Sequence, residues 1–97
     1  MIAGFHPAAK LEYEAALAWL AREAGAQAAE ELATEFWHTI ELLKRSPQLG
    51  VPAPRLTRKL TLRRFRYSII YRAGHDSIRV LALAHHHRRP DYWSQRR

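Results

Sequence analysis

Two amphipathic segments separated by a single glycine restrict the fold of this chain more than any other feature. From Pro7 to Ala24 and from Ala26 to Arg45, apolar residues recur at helical spacing and charged residues fill the opposite side. His6-Pro7 is a typical helix start, and Gly25 is a typical helix end. Ser46-Pro47 stops the second segment, because proline cannot continue a helix. Two helices joined by so short a link are expected to be antiparallel neighbours.

Strands are predicted on both sides of this hairpin. Ile2 to Phe5 can form a short first strand, and Leu60 to Leu62 can form another. From Phe65 to Arg72 the residues alternate at the two-residue period of a strand, and Ser77 to about His86 forms the last long strand. That last strand is apolar on both faces at its middle, so we expect it inside the sheet. Ser46 to Lys59, with three prolines and a glycine, is predicted to be a loop.

The predicted order is therefore β-α-α-β-β-β, an α+β fold. An antiparallel helical hairpin packs on one face of a small, mostly antiparallel sheet, and the other face is expected to be open. A chain of 97 residues is expected to form a single domain, 1–97, because a second core would be too small.

The composition narrows the cellular setting. The chain has no cysteine, which excludes disulfides and thiolate chemistry and fits a reducing compartment. Neither a signal peptide nor an apolar run near the roughly 20 residues of a membrane span is visible. We expect a cytoplasmic protein with no membrane partner.

The net charge of +7 is concentrated in the second half of the chain. Residues 1–45 hold four Lys or Arg and seven Glu, a net of −3, whereas residues 46–97 hold twelve and two Asp, a net of +10. Eleven of those twelve cations are arginine, whose forked guanidinium suits phosphate or carboxylate. The distribution favours an anionic partner, although a solubilising basic surface is the alternative.

Four cationic residues are candidates for an anion-binding surface on the sheet. Arg66 and Arg72 share one face of the strand from Phe65 to Arg72, and Arg79 and His85 could join them from the neighbouring strand. The opposite face of the strand from Phe65 to Arg72 (Phe65, Tyr67, Ile69, Tyr71) is expected to pack under the helices.

The three consecutive histidines are not expected to bind a metal. In a strand, only His85 and His87 can point to the same face, and no carboxylate lies at matching spacing. No cofactor motif is present, so no metal and no cofactor are expected. Trp19 and Trp37 lie on the edges of their helical stripes, so they are expected to be half exposed and to suit a protein partner.

Four blocks of sequence resemble the RelE/ParE superfamily of toxins from type II toxin–antitoxin (plasmid stabilisation) modules. They are F-H-P-x-A (Phe5–Ala9), S-P-x-L-G (Ser46–Gly50), R-R-F-R-Y-S-I-I-Y-R (Arg63–Arg72) and A-H-H-H-R-R-P-D-Y-W (Ala84–Trp93). The resemblance implies the same β-α-α-β-β-β fold and growth arrest by the free protein. It also implies neutralisation by a cognate antitoxin, whose C-terminal segment wraps the toxin in a hetero-oligomer.

Two activities occur in this superfamily. ParE-like members poison DNA gyrase, and RelE-like members cleave messenger RNA on the ribosome. The ribonucleases typically carry arginine after the aromatic residue where this chain has Ser68 after Tyr67, so the chain is more similar to the ParE-like branch. A basic nucleic-acid-binding module without toxicity is a third possibility.

The resemblance and the residue types together define two sets of candidate residues. A metal-independent ribonuclease would use the catalytic set Arg66, Arg72, His86, Arg88 and Tyr92. Binding of the antitoxin or of the target is expected to involve Arg66, Arg72, Arg79, His85, His87, Arg88, Arg89, Trp19 and Trp37.

Overall fold

The chain forms five strands and two helices. In the computed structural model, which describes residues 1–97, these are β1 (Ile2–Phe5), α1 (Pro7–Ala24), α2 (Ala26–Arg45), β2 (Val51–Ala53), β3 (Thr57–Thr61), β4 (Tyr67–Ala73) and β5 (Ser77–His85). All strands belong to one sheet in the order β1-β5-β4-β3-β2, and only the β1–β5 pair is parallel. The predicted α+β class, with a helical hairpin on a mostly antiparallel sheet, is confirmed.

Both helices begin and end where the sequence predicts, because local signals set their ends. Nδ1 of His6 accepts a hydrogen bond from the Ala8 N–H at 3.0 Å and so caps the start of α1. Gly25 joins the helices with a φ of 98°, a conformation that other residues rarely adopt. The Ser46 N–H donates to the Leu42 carbonyl at 2.8 Å and closes the last turn of α2. Neither helix combines the length and the apolar composition that crossing a membrane requires.

The main hydrophobic core lies between the helices and one face of the sheet. Its largest members are Leu32, Phe36, Ile40 and Leu43 from α2, and Ile69, Tyr71, Ile78, Val80 and Leu83 from the sheet. Phe65 and Tyr67 pack against this core, so the predicted packing face of the first long strand is confirmed. The buried Tyr71 hydroxyl donates to the Pro47 carbonyl at 2.7 Å and accepts from the Gly50 N–H at 2.9 Å, which ties the end of α2 to the sheet.

The prediction of a loop from Ser46 to Lys59 is wrong for two stretches. β2 lies within it, and β3 begins at Thr57 rather than at Leu60. Residues 51–53 pair with residues 57–59 in antiparallel register. Pro52 is tolerated there because β2 is an edge strand, which needs no donor on its outer side. The next connection runs from the end of β3 at Thr61 to the start of β4 at Tyr67. β4 therefore begins two residues later than Phe65, where the alternating pattern predicts its start.

A β-bulge at Leu81 shifts the side-chain alternation of β5 by one residue. Ile70 pairs with Ala82 and Tyr71 pairs with Val80, which leaves Leu81 without a partner in β4. Val80 therefore packs under the helices, while Ala82 packs on the second face of the sheet. β5 lies between β1 and β4, so its predicted interior position is confirmed.

The second face of the sheet is not open at its centre, contrary to the prediction. Trp93 is 4% exposed and packs on Ile70 and Ala82 in a separate small core. Tyr92 flanks this core, so the segment 90–97 crosses the face that the predicted fold leaves uncovered. The physical reason is that Ile70 and Ala82 supply an apolar strip that a tryptophan at the end of the chain can cover.

Candidate interaction surfaces

Glu12, on the charged side of α1, binds three residues, one in β5 and two in the C-terminal segment. Its Oε1 accepts from the Leu83 N–H at 3.0 Å, and its Oε2 accepts from the Tyr92 hydroxyl at 2.7 Å. Arg96 donates to both oxygens, from Nη1 at 2.9 Å and from Nη2 at 3.0 Å. This forked geometry is the strongest form of carboxylate–guanidinium pairing. We call these four residues the Glu12 network.

The Glu12 network takes the place of a neighbouring strand for the middle of β5. β1 is short and pairs with β5 only as far as Val80. Beyond that point, the Leu83 N–H binds Glu12 and the Leu81 carbonyl accepts from Arg96 Nη1 at 2.9 Å. A buried backbone N–H or carbonyl without a hydrogen-bond partner destabilises the fold. Glu12 and Arg96 supply those partners along this edge of β5, and they also hold the C-terminal segment against it.

Tyr92 is held by this network rather than presented to a substrate. Burial, followed by the hydrogen bond and the charge of Glu12, raises the pKa of Tyr92 well above its ordinary value. Cζ of Arg88 lies 3.8 Å from the centroid of the Tyr92 ring, a cation–π contact. The hydroxyl thus keeps its proton in a structural hydrogen bond.

His85 lies on the helix-covered side of the sheet, contrary to the prediction that it could join Arg72. It pairs with Tyr67 across β4 and β5, and the two rings meet edge to face with centroids 4.9 Å apart. The predicted convergence of His85 and His87 is confirmed, because their rings stack at 5.1 Å. Burial, then the charges of His87, His86 and Arg66, lower the pKa of His85 below its ordinary value.

His86 points to the second face, where it borders a basic cavity of about 330 Å³. Its Nε2 lies 3.2 Å from Oγ of Ser68, a buried residue that also contacts Oγ1 of Thr61 at 3.0 Å. The charged or polar residues that line this cavity are Lys59, Ser68, His85, His86, Arg88, Arg89, Asp91 and Tyr92. The cavity is therefore an anion-attracting site at the His85 end of β5.

The sequence pattern predicted one continuous basic face that includes Arg66 and Arg72, but the two residues lie at opposite ends of β4. Arg66 precedes β4 and Arg72 lies near its other end, a separation of about 20 Å along an extended strand. The buried Trp93 covers the sheet between these ends. The cations of the second face therefore form two groups, one near the histidines and one at the opposite end.

The second group of cations surrounds Arg72 and Arg79, which are paired across β4 and β5 as predicted. Arg72 Nη2 donates to the Arg55 carbonyl at 2.8 Å, and Arg79 Nε donates to the Arg97 main-chain oxygen at 2.8 Å. The acceptor of Arg72 is a neutral peptide carbonyl, so the charge of this guanidinium group is not neutralised by Asp or Glu. Arg72 is therefore able to attract an anion.

A groove of about 470 Å³ separates α1 from the His85 end of the sheet. Trp19, which is 51% exposed, forms one wall, and Ala15 and Ala16 lie beside it. His85 and Arg88 line the opposite wall. An exposed tryptophan, small apolar neighbours and a cation at the rim are the chemistry of a protein interface.

Trp37 is also half exposed, as predicted, but it belongs to an aromatic cluster. Its Nε1 donates to the Tyr13 hydroxyl at 2.9 Å, and its ring packs edge to face on Phe5 and Phe36. This packing holds α2 against β1, so Trp37 has a structural partner that Trp19 lacks.

No three His, Asp or Glu side chains are placed so that they could hold a metal ion. The sequence predicts neither Glu12 nor Arg96 as an organising residue, because charged residues on a helix and at a chain end are usually solvated. The sequence likewise does not predict that Lys59 and Ser68 line the same cavity. A lysine in a predicted loop and a serine between arginines carry no local signal of a shared cavity.

The chain is a small α+β protein with a helical hairpin on a five-stranded sheet and basic groups at both ends of the sheet. The family description "ParE toxin of type II toxin-antitoxin system, parDE" matches residues 4–90, so the chain belongs to the ParE toxin family. A solved structure, the chromosomal ParDE toxin–antitoxin system from P. aeruginosa, contains a chain with this fold. The TM-score is 0.75 at 19% identity, over 88% of this chain and 95% of that chain. No curated protein shows a significant sequence match.

Proposed function

We propose that this protein arrests growth in the cytoplasm by poisoning DNA gyrase, and that a cognate antitoxin neutralises it in a hetero-oligomeric complex. Membership of the ParE toxin family carries the proposal. The surfaces described above support it, because basic groups at both ends of the sheet and an exposed aromatic groove are suited to binding.

The second candidate is a RelE-like, ribosome-dependent ribonuclease, which the basic cavity beside Ser68 favours. Metal-free RNA cleavage needs a proton acceptor near the 2′-hydroxyl and cations around the phosphate. His86, Arg88 and Arg89 border such a cavity. However, the Tyr92 hydroxyl is bound to Glu12, and Arg72 lies at the far end of the strand. We therefore prefer the gyrase poison.

The antitoxin is proposed to occupy the groove beside Trp19. A tryptophan exposed over half its surface and flanked by alanines offers an apolar contact to one face of a helix. Arg88 and Arg22, also in the groove lining, would pair with acidic residues of that helix. The antitoxin is accordingly expected to be acidic and to order when it binds.

Two assays run side by side test the target. Purified protein is added to gyrase with supercoiled plasmid, and to an in-vitro translation reaction with mapped mRNA ends. Accumulation of gyrase–DNA cleavage complexes is the expected result. Codon-positioned cuts without such complexes would favour the ribonuclease, and salt-sensitive nucleic-acid binding alone would leave a non-toxic binding module.

Trp19→Ala tests the antitoxin site in a binding assay with the purified cognate antitoxin. The variant should weaken antitoxin binding by about 30-fold, the loss typical of a buried aromatic at an interface. Leu11→Ala is the control, because Leu11 is also exposed on α1 but does not line the groove. Equal affinities for the two variants would exclude the groove as the main contact.

A further inference from the structure

The turn between β2 and β3 is strained and carries an exposed apolar side chain. Arg55 and Leu56 have φ values of 65° and 59°, the left-handed region that glycine or asparagine usually fills. Each such residue costs about 1–2 kcal/mol relative to ordinary backbone. Leu56 is 90% exposed, so no packing of its side chain offsets that cost. Hairpin turns often adopt a positive φ, but a bulky residue in this region is enriched at functional sites.

Arginines surround this turn on the second face of the sheet. Arg72 Nη2 donates to the Arg55 carbonyl, and Arg97 lines the same cavity beside the turn. Leu56 and the three arginines that line one cavity of about 370 Å³ (Arg55, Arg72 and Arg97) define what we call the turn surface.

The cations of the turn surface have no acidic partners. The ion pairs of the protein join Lys44 to Glu41, Arg64 to Glu31 and Glu35, and Arg96 to Glu12. None of them involves an arginine of the turn surface. Three uncompensated guanidinium groups close together repel one another, so an anion that bridges them would lower their energy.

We propose that the turn surface binds the sugar–phosphate backbone of duplex DNA. Guanidinium groups pair with phosphate oxygens in a forked geometry, and several at one place follow the spacing of a backbone rather than that of a single carboxylate. Leu56 between them would pack on deoxyribose, which lacks the 2′-hydroxyl that RNA would present to it. The choice of DNA rests on the proposed function, because gyrase holds its target as duplex DNA.

Fluorescence anisotropy with a labelled duplex DNA, measured at several salt concentrations, tests this surface. The variant Arg55→Asn/Arg72→Gln removes two charges, and asparagine suits the left-handed backbone at the turn. Each lost phosphate contact should weaken binding roughly eightfold in 0.1 M salt and reduce the slope of log K against log salt by about 0.9. We therefore expect roughly 60-fold weaker binding and a slope smaller by about 1.8.

Arg45→Gln/Arg63→Gln is the matched control, since it removes the same charge at the end of α2 and in the connection before β4. It should lower the affinity far less. Leu56→Ser should weaken binding about fivefold with an unchanged salt slope, as expected for loss of an apolar contact. If circular dichroism shows that the double variant is unfolded, the single variant Arg55→Asn, which loses one phosphate contact, replaces it in the binding assay.

Three outcomes overturn the proposal. They are equal affinity for the turn and control variants, an unchanged salt slope in the turn variant, and preference of the wild type for duplex RNA over DNA. The same variants in the gyrase assay separate this inference from the proposed function. DNA binding through the turn surface without cleavage complexes would refute only gyrase poisoning. Cleavage complexes together with unaltered DNA binding by the turn variant would refute only the turn surface.

Discussion

Replacing Glu12 by alanine should destabilise the fold more than any other change of an acidic residue. The carboxylate accepts four hydrogen bonds, one of them from a backbone N–H of β5 and two from Arg96. The side chains of Glu12 and Arg96 are only 15% and 17% exposed. Removing the carboxylate leaves the Leu83 N–H, the Tyr92 hydroxyl and the guanidinium without their acceptor.

The size of the effect follows from these partners. Breaking a buried ion pair costs about 3–5 kcal/mol, and the remaining exposure of this pair places it near the lower end, about 3 kcal/mol. Glu12→Gln keeps one acceptor oxygen and should cost about 2 kcal/mol, mostly because the charge of Arg96 loses its partner. For a chain of 97 residues, 3 kcal/mol corresponds to a fall in Tm of roughly 15 °C.

Urea denaturation followed by far-UV circular dichroism measures these losses. Glu14→Ala is the control, because Glu14 lies on the same helix, is exposed and makes no ion pair. The double variant Glu12→Ala/Arg96→Ala should lose clearly less than the sum of the single variants, with a coupling energy of about 1–3 kcal/mol. Additive losses, or a loss at Glu12 within about 0.5 kcal/mol of the control, would refute the reasoning.

Three further changes test other parts of the structure. Gly50→Ala should lower the free energy of unfolding by about 2 kcal/mol in the same urea assay, because its Cβ would lie 2.9 Å from the Tyr71 ring and hydroxyl. Leu56→Gly should raise the free energy of unfolding by about 0.5–1 kcal/mol, since glycine relieves the left-handed strain. His87→Gln should raise the pKa of His85 in an NMR titration, without restoring its ordinary value because burial remains.

Each of these changes has a matched control in the chain. Gly4→Ala should be mild, because its Cβ would meet only a side-chain nitrogen at 3.9 Å. Leu49 is another exposed leucine, but its φ is ordinary, so Leu49→Gly should lower the free energy of unfolding. His75→Gln should leave the pKa of His85 unchanged. A loss at Gly4 equal to that at Gly50, a gain at Leu49, or a shift from His75 would contradict the respective explanation.

The lowered pKa of His85 also sets a direction for the pH dependence of stability. The unfolded chain binds a proton at His85 more readily than the folded chain does. The contribution of His85 is therefore fully present above its ordinary pKa, about 6.5, and falls as the pH decreases through the folded value. Thermal unfolding between neutral and mildly acid pH should show this fall, and it should be smaller in His85→Gln.

Local patterns in the sequence were sufficient for the helices and for the interior position of β5. The cap at His6, the glycine at position 25 and the Ser46-Pro47 stop each act within one turn of the helix end, so they can be read without knowledge of the rest of the chain. The uninterrupted apolar run in the middle of β5 is also a local pattern, and it predicts that both faces of this strand are buried. The four blocks that resemble the RelE/ParE superfamily predicted how these elements assemble into one fold.

The binding surfaces could not be placed from the same patterns. Alternation predicted one basic face along Arg66 and Arg72, but it did not show that Trp93 would cover the middle of that face. The bulge at Leu81 shifts the phase of β5 by one residue, which moves His85 to the helix-covered side. A one-residue shift of this kind reverses every later side chain in a strand.

What the sequence by itself determined is the order of the elements, the bounds of the helical hairpin and the excess of arginine in the second half. Only the tertiary structure decided that Glu12 pairs with Arg96, 84 residues away along the chain, and that the arginines form two groups. The reason is that periodicity and capping act between near neighbours. A contact between distant residues depends on how the sheet and the C-terminal segment pack together, and no local pattern encodes that.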